Sequence, residues 1–302
     1  MAIFLSLVET VFREGFIYAL MAMGVYITYK ILDFPDLSVD GTFPLGACVT
    51  AVLILAGMNP WLACLCAFLA GAAAGCVTGL LHVKLGITDL LSGILVMTAM
   101  WSVNLIITAK SSILQFFNQP TIFNSGLVKL LPQGVYAQRK LLIAFLLVIV
   151  MKLVLDWFLR TKTGLLLRAT GDNAQFVTSL AKNQGRMKIL GLAIGNGCTA
   201  LSGAVLAQLN ENADVNSGKG MVVLALASVI IGTSLFQRVP FIKATTMAVL
   251  GAILYKACLQ IALQLGMEPH ILKLLMAILL TIAIVSKRFF RKGGTGNALI
   301  EQ

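Results

Sequence analysis

The chain of 302 residues is 59% hydrophobic and only 12% charged, where an ordinary soluble domain is roughly a quarter charged. This excludes a soluble globular domain and predicts an all-α polytopic membrane protein, because a spanning helix takes about 20 mostly apolar residues and several stretches qualify. The net charge of +11 does not point to nucleic acid, since the basic residues gather in two short segments, as they do in the cytoplasmic loops of membrane proteins.

In chain order, apolar segments run over about 12–31, 43–57, 60–82, 88–108, 139–159, 188–209, 220–236, 243–265 and 271–287. They make eight or nine spans in a single transmembrane domain covering residues 1–302. The first segment lacks a basic leader and carries Glu9, Arg13 and Glu14, so it is read as a retained helix rather than a cleaved signal. Arg160, Lys162, Arg168, Lys182, Arg186 and Lys188 lie in one polar stretch, and Lys287, Arg288, Arg291 and Lys292 follow the last apolar run. Both are placed in the cytoplasm. Counting back from a cytoplasmic C-terminus puts 160–187 inside and 109–138 outside. Arg139 and Lys140 then stand at an outer end, where they read as interfacial, snorkelling side chains.

The stretch "ILDFPDLSVDGTFPLGACVTA", Ile31 to Ala51, sets Asp33, Asp36 and Asp40 between two apolar runs. Pro35 and Pro44 remove backbone donors and stop helices, Gly41 frees the backbone, and Asp40 is placed to cap a helix starting near Thr42. Segment 43–57 is short for a span. Either it crosses fully and the N-terminus is external, or it is a broken or re-entrant helix within about 33–57 and the N-terminus is cytoplasmic; the second is the reading adopted. Irregular backbone at membrane depth survives only where protein buries it or a watery cavity receives it. A second acidic, glycine-containing interruption, "AQLNENADVNSGKGMVV", centres on 210–219. Two such breaks in corresponding positions of two halves point to a transport path between weak internal repeats. The path candidates are Asp36, Ser38, Asp40, Thr42, Asn210, Glu211, Asp214 and Lys256. Lys256, with Gln260 and Gln264 at helical spacing, is either functional or neutralised by an acidic partner.

Gly71, Gly75 and Gly79, and Gly191 and Gly195, repeat every four residues and predict close helix packing. Asn104 and Asn196 are read as interhelical hydrogen-bonding residues. The six cysteines lack paired metal spacing and read as small packing residues. "GNGCTA" from Gly195 lies in an apolar helix with no preceding strand, so it is no dinucleotide fingerprint, and "VNSGKG" lacks the first glycine and final Ser/Thr of a P-loop. Only His82 and His270 are present, and no nucleophile elbow accompanies them. The chain is therefore read as a non-enzyme.

In "RTKTGLLLRATGDNAQFVTSLAKNQGRMKILG", Asp172 or Asn173 can cap a short helix over about 173–182 with an apolar face of Phe176, Val177, Leu180 and Ala181, closed by Gly185. It either rests at the membrane surface or docks into another protein's groove.

From about Tyr18 to Lys287 the sequence resembles permease subunits of bacterial ABC importers of the ribose and branched-chain amino acid class. "PDLSVDGTFPLGA", "TGLLLRATGDNAQFVTSLAKNQGRMKI" and "VVLALASVIIGTSL" carry the resemblance. Ile231-Gly232-Thr233 stands where the family has Ile-Gly-Gly, and Lys182-Asn183-Gln184-Gly185 departs from the family's turn. The Phe-Pro-Asp-Leu-Ser-Val-Asp-Gly wording is closest to the subgroup linked with tryptophan and tyrosine uptake. The resemblance implies that Asp172, Asn173, Phe176, Val177 and Leu180 form a coupling helix in a groove of an ATP-binding cassette subunit. It also implies a second permease copy and an extracytoplasmic substrate-binding protein as partners, besides membrane lipid and no nucleic acid. This chain would hold no cofactor, with ATP and Mg on the partner ATPase, and would sit in the bacterial inner membrane. The expected function is the translocation path for a small solute, an aromatic or branched-chain amino acid. The alternatives are a self-sufficient secondary transporter or channel, and a membrane scaffold without flux.

Overall fold

The computed structural model describes residues 2–125, 138–172, 183–236, 239, 241–268 and 271–292. They form α1 (Ala2–Val25) continued by a π-helical turn (Tyr26–Ile31), α2 (Val39–Leu55), α3 (Pro60–Leu85), α4 (Asp89–Ile107), β1 (Ile113–Gln115) and α5 (Arg139–Phe158). There follow α6 (Lys162–Asp172), α7 (Gln184–Asn210), β2 (Asn212–Asp214), α8 (Met221–Phe236), α9 (Ala244–Gln264) and α10 (Leu272–Lys292). Six described helices are long and apolar enough to cross a membrane, the first running Ser6–Ile31, and α2 and α8 are shorter apolar helices. The chain is thus an all-α polytopic membrane protein.

Helices α1 and α7 form the centre, where small residues replace bulk. Ser202 Oγ donates to the carbonyl of Ile17 at 2.7 Å, and a Cβ on Gly24 would meet the Gly195 carbonyl oxygen, so the two run antiparallel. The glycine stripe of α3 lies on α7 too: a Cβ on Gly71 would stand 2.5 Å from the Asn196 carbonyl oxygen, and one on Gly79 would stand 2.8 Å from Ile189 Cα. Without a hydrophobic drive between helices in lipid, this close backbone approach is what holds them. Leu62, Leu65 and Leu69 of α3 and Leu146, Val150 and Leu153 of α5 point outward from the bundle, the pattern of a lipid-facing surface.

The two polar interruptions lie at different heights. α1 ends beside α6, where a Cβ on Gly171 would collide with the Ile31 carbonyl. From there the chain turns through Asp33, at φ 52°, and climbs back to the level of Asn196 before α2 begins. α2 then leads away from the basic end, and its far half packs with Ala63, Phe116, Ala207 and Ala213. β1 and β2 pair antiparallel, Leu114 opposite Ala213, which puts the starts of the loops after α4 and α7 at one end of the bundle.

Several expectations change. α2 starts at Val39, not near Thr42, and Pro44 lies inside it. The proline's missing N–H leaves the Asp40 carbonyl without a helical donor, and Gly218 packs directly against that carbonyl. The break near 33–57 is present, but the N-terminus lies at the end opposite the basic loops. α2 is 17 residues, about 25 Å long, and residues 32–38 lead up to it from the basic end. The 160–187 stretch contains a helix not expected there, α6, of which Asp172 is the last residue. Gly185 lies within α7, whose cap is Asn183, its side chain accepting from Arg186 N at 3.3 Å. Asn173, Phe176, Val177 and Leu180 lie outside the described residues.

Candidate functional site

Two short helices begin side by side near the middle of the bundle. α2 leads from Val39 to the far end. α8 leads from Met221 to the basic end, its Gly232 against the Met247 carbonyl of α9. Each presents unsatisfied N–H groups and the positive end of a helix dipole, and each has an aspartate. The Oδ1 of Asp36 accepts from Ser38 N at 2.8 Å, at the start of α2. Asp40, in the first turn of α2, reaches across to the other helix: its Oδ2 accepts from Gly220 N at 3.0 Å and its Oδ1 from Val222 N at 2.8 Å. The sequence expectation that Asp40 caps its own helix is thus replaced by a cap in trans.

Asn196 of α7 ties the α2 entry to the central helix. Its Nδ2 donates to Asp36 Oδ2 at 2.7 Å, and its Oδ1 accepts from Ser38 Oγ at 3.1 Å and Thr42 Oγ1 at 2.8 Å. Asp36 is 5% exposed and Ser38, Thr42 and Asn196 are fully buried. This group is a satisfied internal crosslink. Asn104 of α4 adds a bond from its Nδ2 to the Gly41 carbonyl at 3.2 Å, so both asparagines bond between helices.

Asp40 differs from Asp36 in facing open space. With Gly41, Pro44, Met97, Trp101, Asn104 and Lys219, among others, it lines a pocket of about 540 Å³ between α2, α4 and the segment before α8. The remaining path candidates lie apart. Asn210 ends α7 and is exposed, and Glu211 follows at φ 54° with its carbonyl accepting from Phe116 N at 3.0 Å. Asp214 pairs with Ile113 in the ribbon, and its side chain accepts from Asn216 N at 2.8 Å. Lys256 is ion-paired with Glu14 of α1 at 2.6 Å and lies 4.9 Å from the Tyr18 ring centre. The structure therefore brings Asp36, Ser38, Thr42 and Asp40 to one junction and leaves Asn210, Glu211, Asp214 and Lys256 outside it.

Sequence reasoning missed the α4 wall. Met97, Trp101 and Asn104 are spaced by four and three residues, one helical face, and that stripe on an otherwise apolar helix was the available signal. At the basic end, Asp156 of α5 accepts from Lys152 at 3.1 Å, Lys243 at 2.9 Å and Thr245 at 2.6 Å. These bonds fasten α5 to the start of α9 beside α6.

The family described as "Branched-chain amino acid transport system / permease component" matches residues 7–285. A tyrosine transport system permease protein of Clostridioides difficile is 44% identical over 91% of this chain and 90% of its own length. An uncharacterized protein of Rickettsia prowazekii is 32% identical over 93% of this chain and 98% of its own. The D-allose transport system permease protein of Escherichia coli is 26% identical over 76% of this chain and 68% of its own. No solved structure matches. With the two helix breaks and the apolar bundle around them, these matches show that the chain belongs to the ABC importer permeases of the branched-chain amino acid and ribose class.

Proposed function

We propose that this chain lines the path by which an aromatic amino acid is imported, driven by ATP hydrolysed on a separate subunit. The observation that carries the reading is the long, near-complete similarity to a tyrosine transport system permease, joined to a helix-break junction where Asp40 faces a pocket. Two copies of the chain form the path, and an extracytoplasmic binding protein delivers the substrate to the far end. The ATP-binding cassette subunit docks on the segment 173–182, and α6 together with the Asp156 bonds joins that segment to α5 and α9. Alternating access follows from rocking of these helices.

The test is reconstitution with an ATP-binding cassette subunit and an extracytoplasmic binding protein that co-purify with the chain from its native membrane. Wild-type complex is expected to take up L-tyrosine only with ATP. Phe176→Asp or Leu180→Asp is expected to abolish ligand-stimulated hydrolysis while leaving membrane insertion intact. Uptake by the chain alone, without ATP, would establish the secondary-transporter reading instead.

A further inference from the structure

Asn104 is fully buried, its Nδ2 is used by the Gly41 carbonyl, and its Oδ1 has no hydrogen-bond partner. A buried amide oxygen left unpaired costs about 1–3 kcal/mol; Asn104 borders the pocket with its Oδ1 shielded behind the wall, so a donor in the pocket meets it once the amide turns toward the opening. Two more groups there have spare capacity. The Asp40 carboxylate accepts from Gly220 N and Val222 N, and the Met221 N–H also bears on it, which leaves about one of a carboxylate's four acceptor sites free. Lys219 is exposed and, among the described residues, has no ion pair.

The rest of the wall is apolar. Trp101 is 49% exposed and, with Met97, presents an indole and a thioether one turn apart on α4. Both favour an aromatic ring, by stacking and by sulfur contact. The pocket volume of about 540 Å³ lies within the usual range for small-molecule sites, in which a few polar groups fix orientation on an apolar lining. Acceptors for a cation, a cation for a carboxylate, and a surface for a ring form one concavity.

We propose that this pocket is a resting subsite for a zwitterionic aromatic amino acid in transit. The ammonium donates to Asp40 and, with the Asn104 amide turned toward the pocket, to its Oδ1; the carboxylate pairs with Lys219, and the ring lies on Trp101 and Met97. Gly218 makes the arrangement possible: a Cβ there would collide with the Asp40 carbonyl, so any side chain would push Lys219 away from Asp40. A neutral sugar supplies neither charge and leaves both protein charges unmatched. The subsite rests on the importer reading above and names its ligand class.

The test places a thiol on the pocket wall. Thr98 lines the pocket and is exposed, so a Thr98→Cys variant, with the accessible Cys66, Cys76 and Cys258 replaced by serine, reports occupancy through its rate of modification by a charged thiosulfonate. L-tyrosine at about ten times its half-effect concentration is expected to slow modification about tenfold. Tyramine, without the carboxylate, and 3-(4-hydroxyphenyl)propionate, without the ammonium, should protect far less. Lys219→Met and Asn104→Leu, added separately, should each weaken protection, and Lys219→Arg should restore it. Equal protection by D-allose, or none by L-tyrosine in a chain whose assembled importer takes up L-tyrosine, overturns the subsite and leaves the importer reading intact. Protection without uptake by the assembled importer upholds the subsite and overturns the importer reading.

Discussion

Replacing Asn196 by leucine would test whether the α2 entry is held by the crosslink described above. Leucine nearly preserves the volume but removes the bonds to Asp36, Ser38 and Thr42. The bond to the Asp36 carboxylate has the value of a hydrogen bond to a charged group, about 2 kcal/mol. Interhelical bonds in membrane proteins average about 0.6 kcal/mol, so the two hydroxyl bonds add about 1 kcal/mol. The expected loss is about 3 kcal/mol, which at about 2–4 °C per kcal/mol lowers the unfolding midpoint by about 6–12 °C. With the accessible Cys66, Cys76 and Cys258 replaced by serine, the chain supplies its own reporter, since Cys48, Cys64 and Cys198 are buried free thiols that a thiol-reactive dye reaches only on unfolding. Asp36→Ala alone removes the charged partner, so adding it to Asn196→Leu should cost less than the sum of the two single changes. A midpoint for Asn196→Leu within about 1 °C of wild type, or strict additivity with Asp36→Ala, would refute the claim that these bonds fix the break.

The ion pair between Lys256 and Glu14 has side chains only 16% and 25% exposed. Lys256→Met or Glu14→Gln should each cost about 1.5–3 kcal/mol, while the double change should cost less than either sum predicts. If Lys256→Met instead stops uptake without changing the midpoint, the lysine acts in transport rather than in packing. For glycine packing, Gly46 and Gly197 make a matched comparison. A Cβ on Gly46 meets only the Ala200 backbone, whereas one on Gly197 meets the Phe68 ring at 2.9 Å. Since a ring can turn and a helix backbone cannot, Gly46→Ala should lose about 1–3 kcal/mol and Gly197→Ala clearly less, read by the same thermal assay.

The spans and both helix breaks were legible because hydropathy and the Pro, Gly and Asp clusters are local signals. What was hidden depended on partners far along the chain. α6 contains Gly164 and Gly171 and has no long apolar run, and it is held by packing of Gly171 on Ile31, far earlier in the chain. The start of α2 was displaced because Pro44 reads as a stop, while Gly218 lets another segment press against the carbonyl that Pro44 leaves without a helical donor. N-terminal orientation was misread because a segment of 17 residues looks too short to cross. That inference fails where a returning stretch such as 32–38 leads up to the helix from the basic end.

The carboxylates of "DFPDLSVDG" follow from the direction of the helices. Crossing a membrane with two short helices that start near one level brings two positive dipole ends into an apolar interior, where each needs compensation. Asp36 serves α2 and is itself satisfied by Asn196, so it is closed to a passing solute. Asp40 serves α8 from the first turn of α2, which couples the two helix starts through one side chain and leaves that side chain open to the pocket. A cation bound at Asp40 would draw the carboxylate away from the α8 N–H groups, and loss of that cap releases α8 relative to α2. In the proposed subsite, the group that meets the substrate is thus also the one that holds together the two helices whose relative motion would open the path.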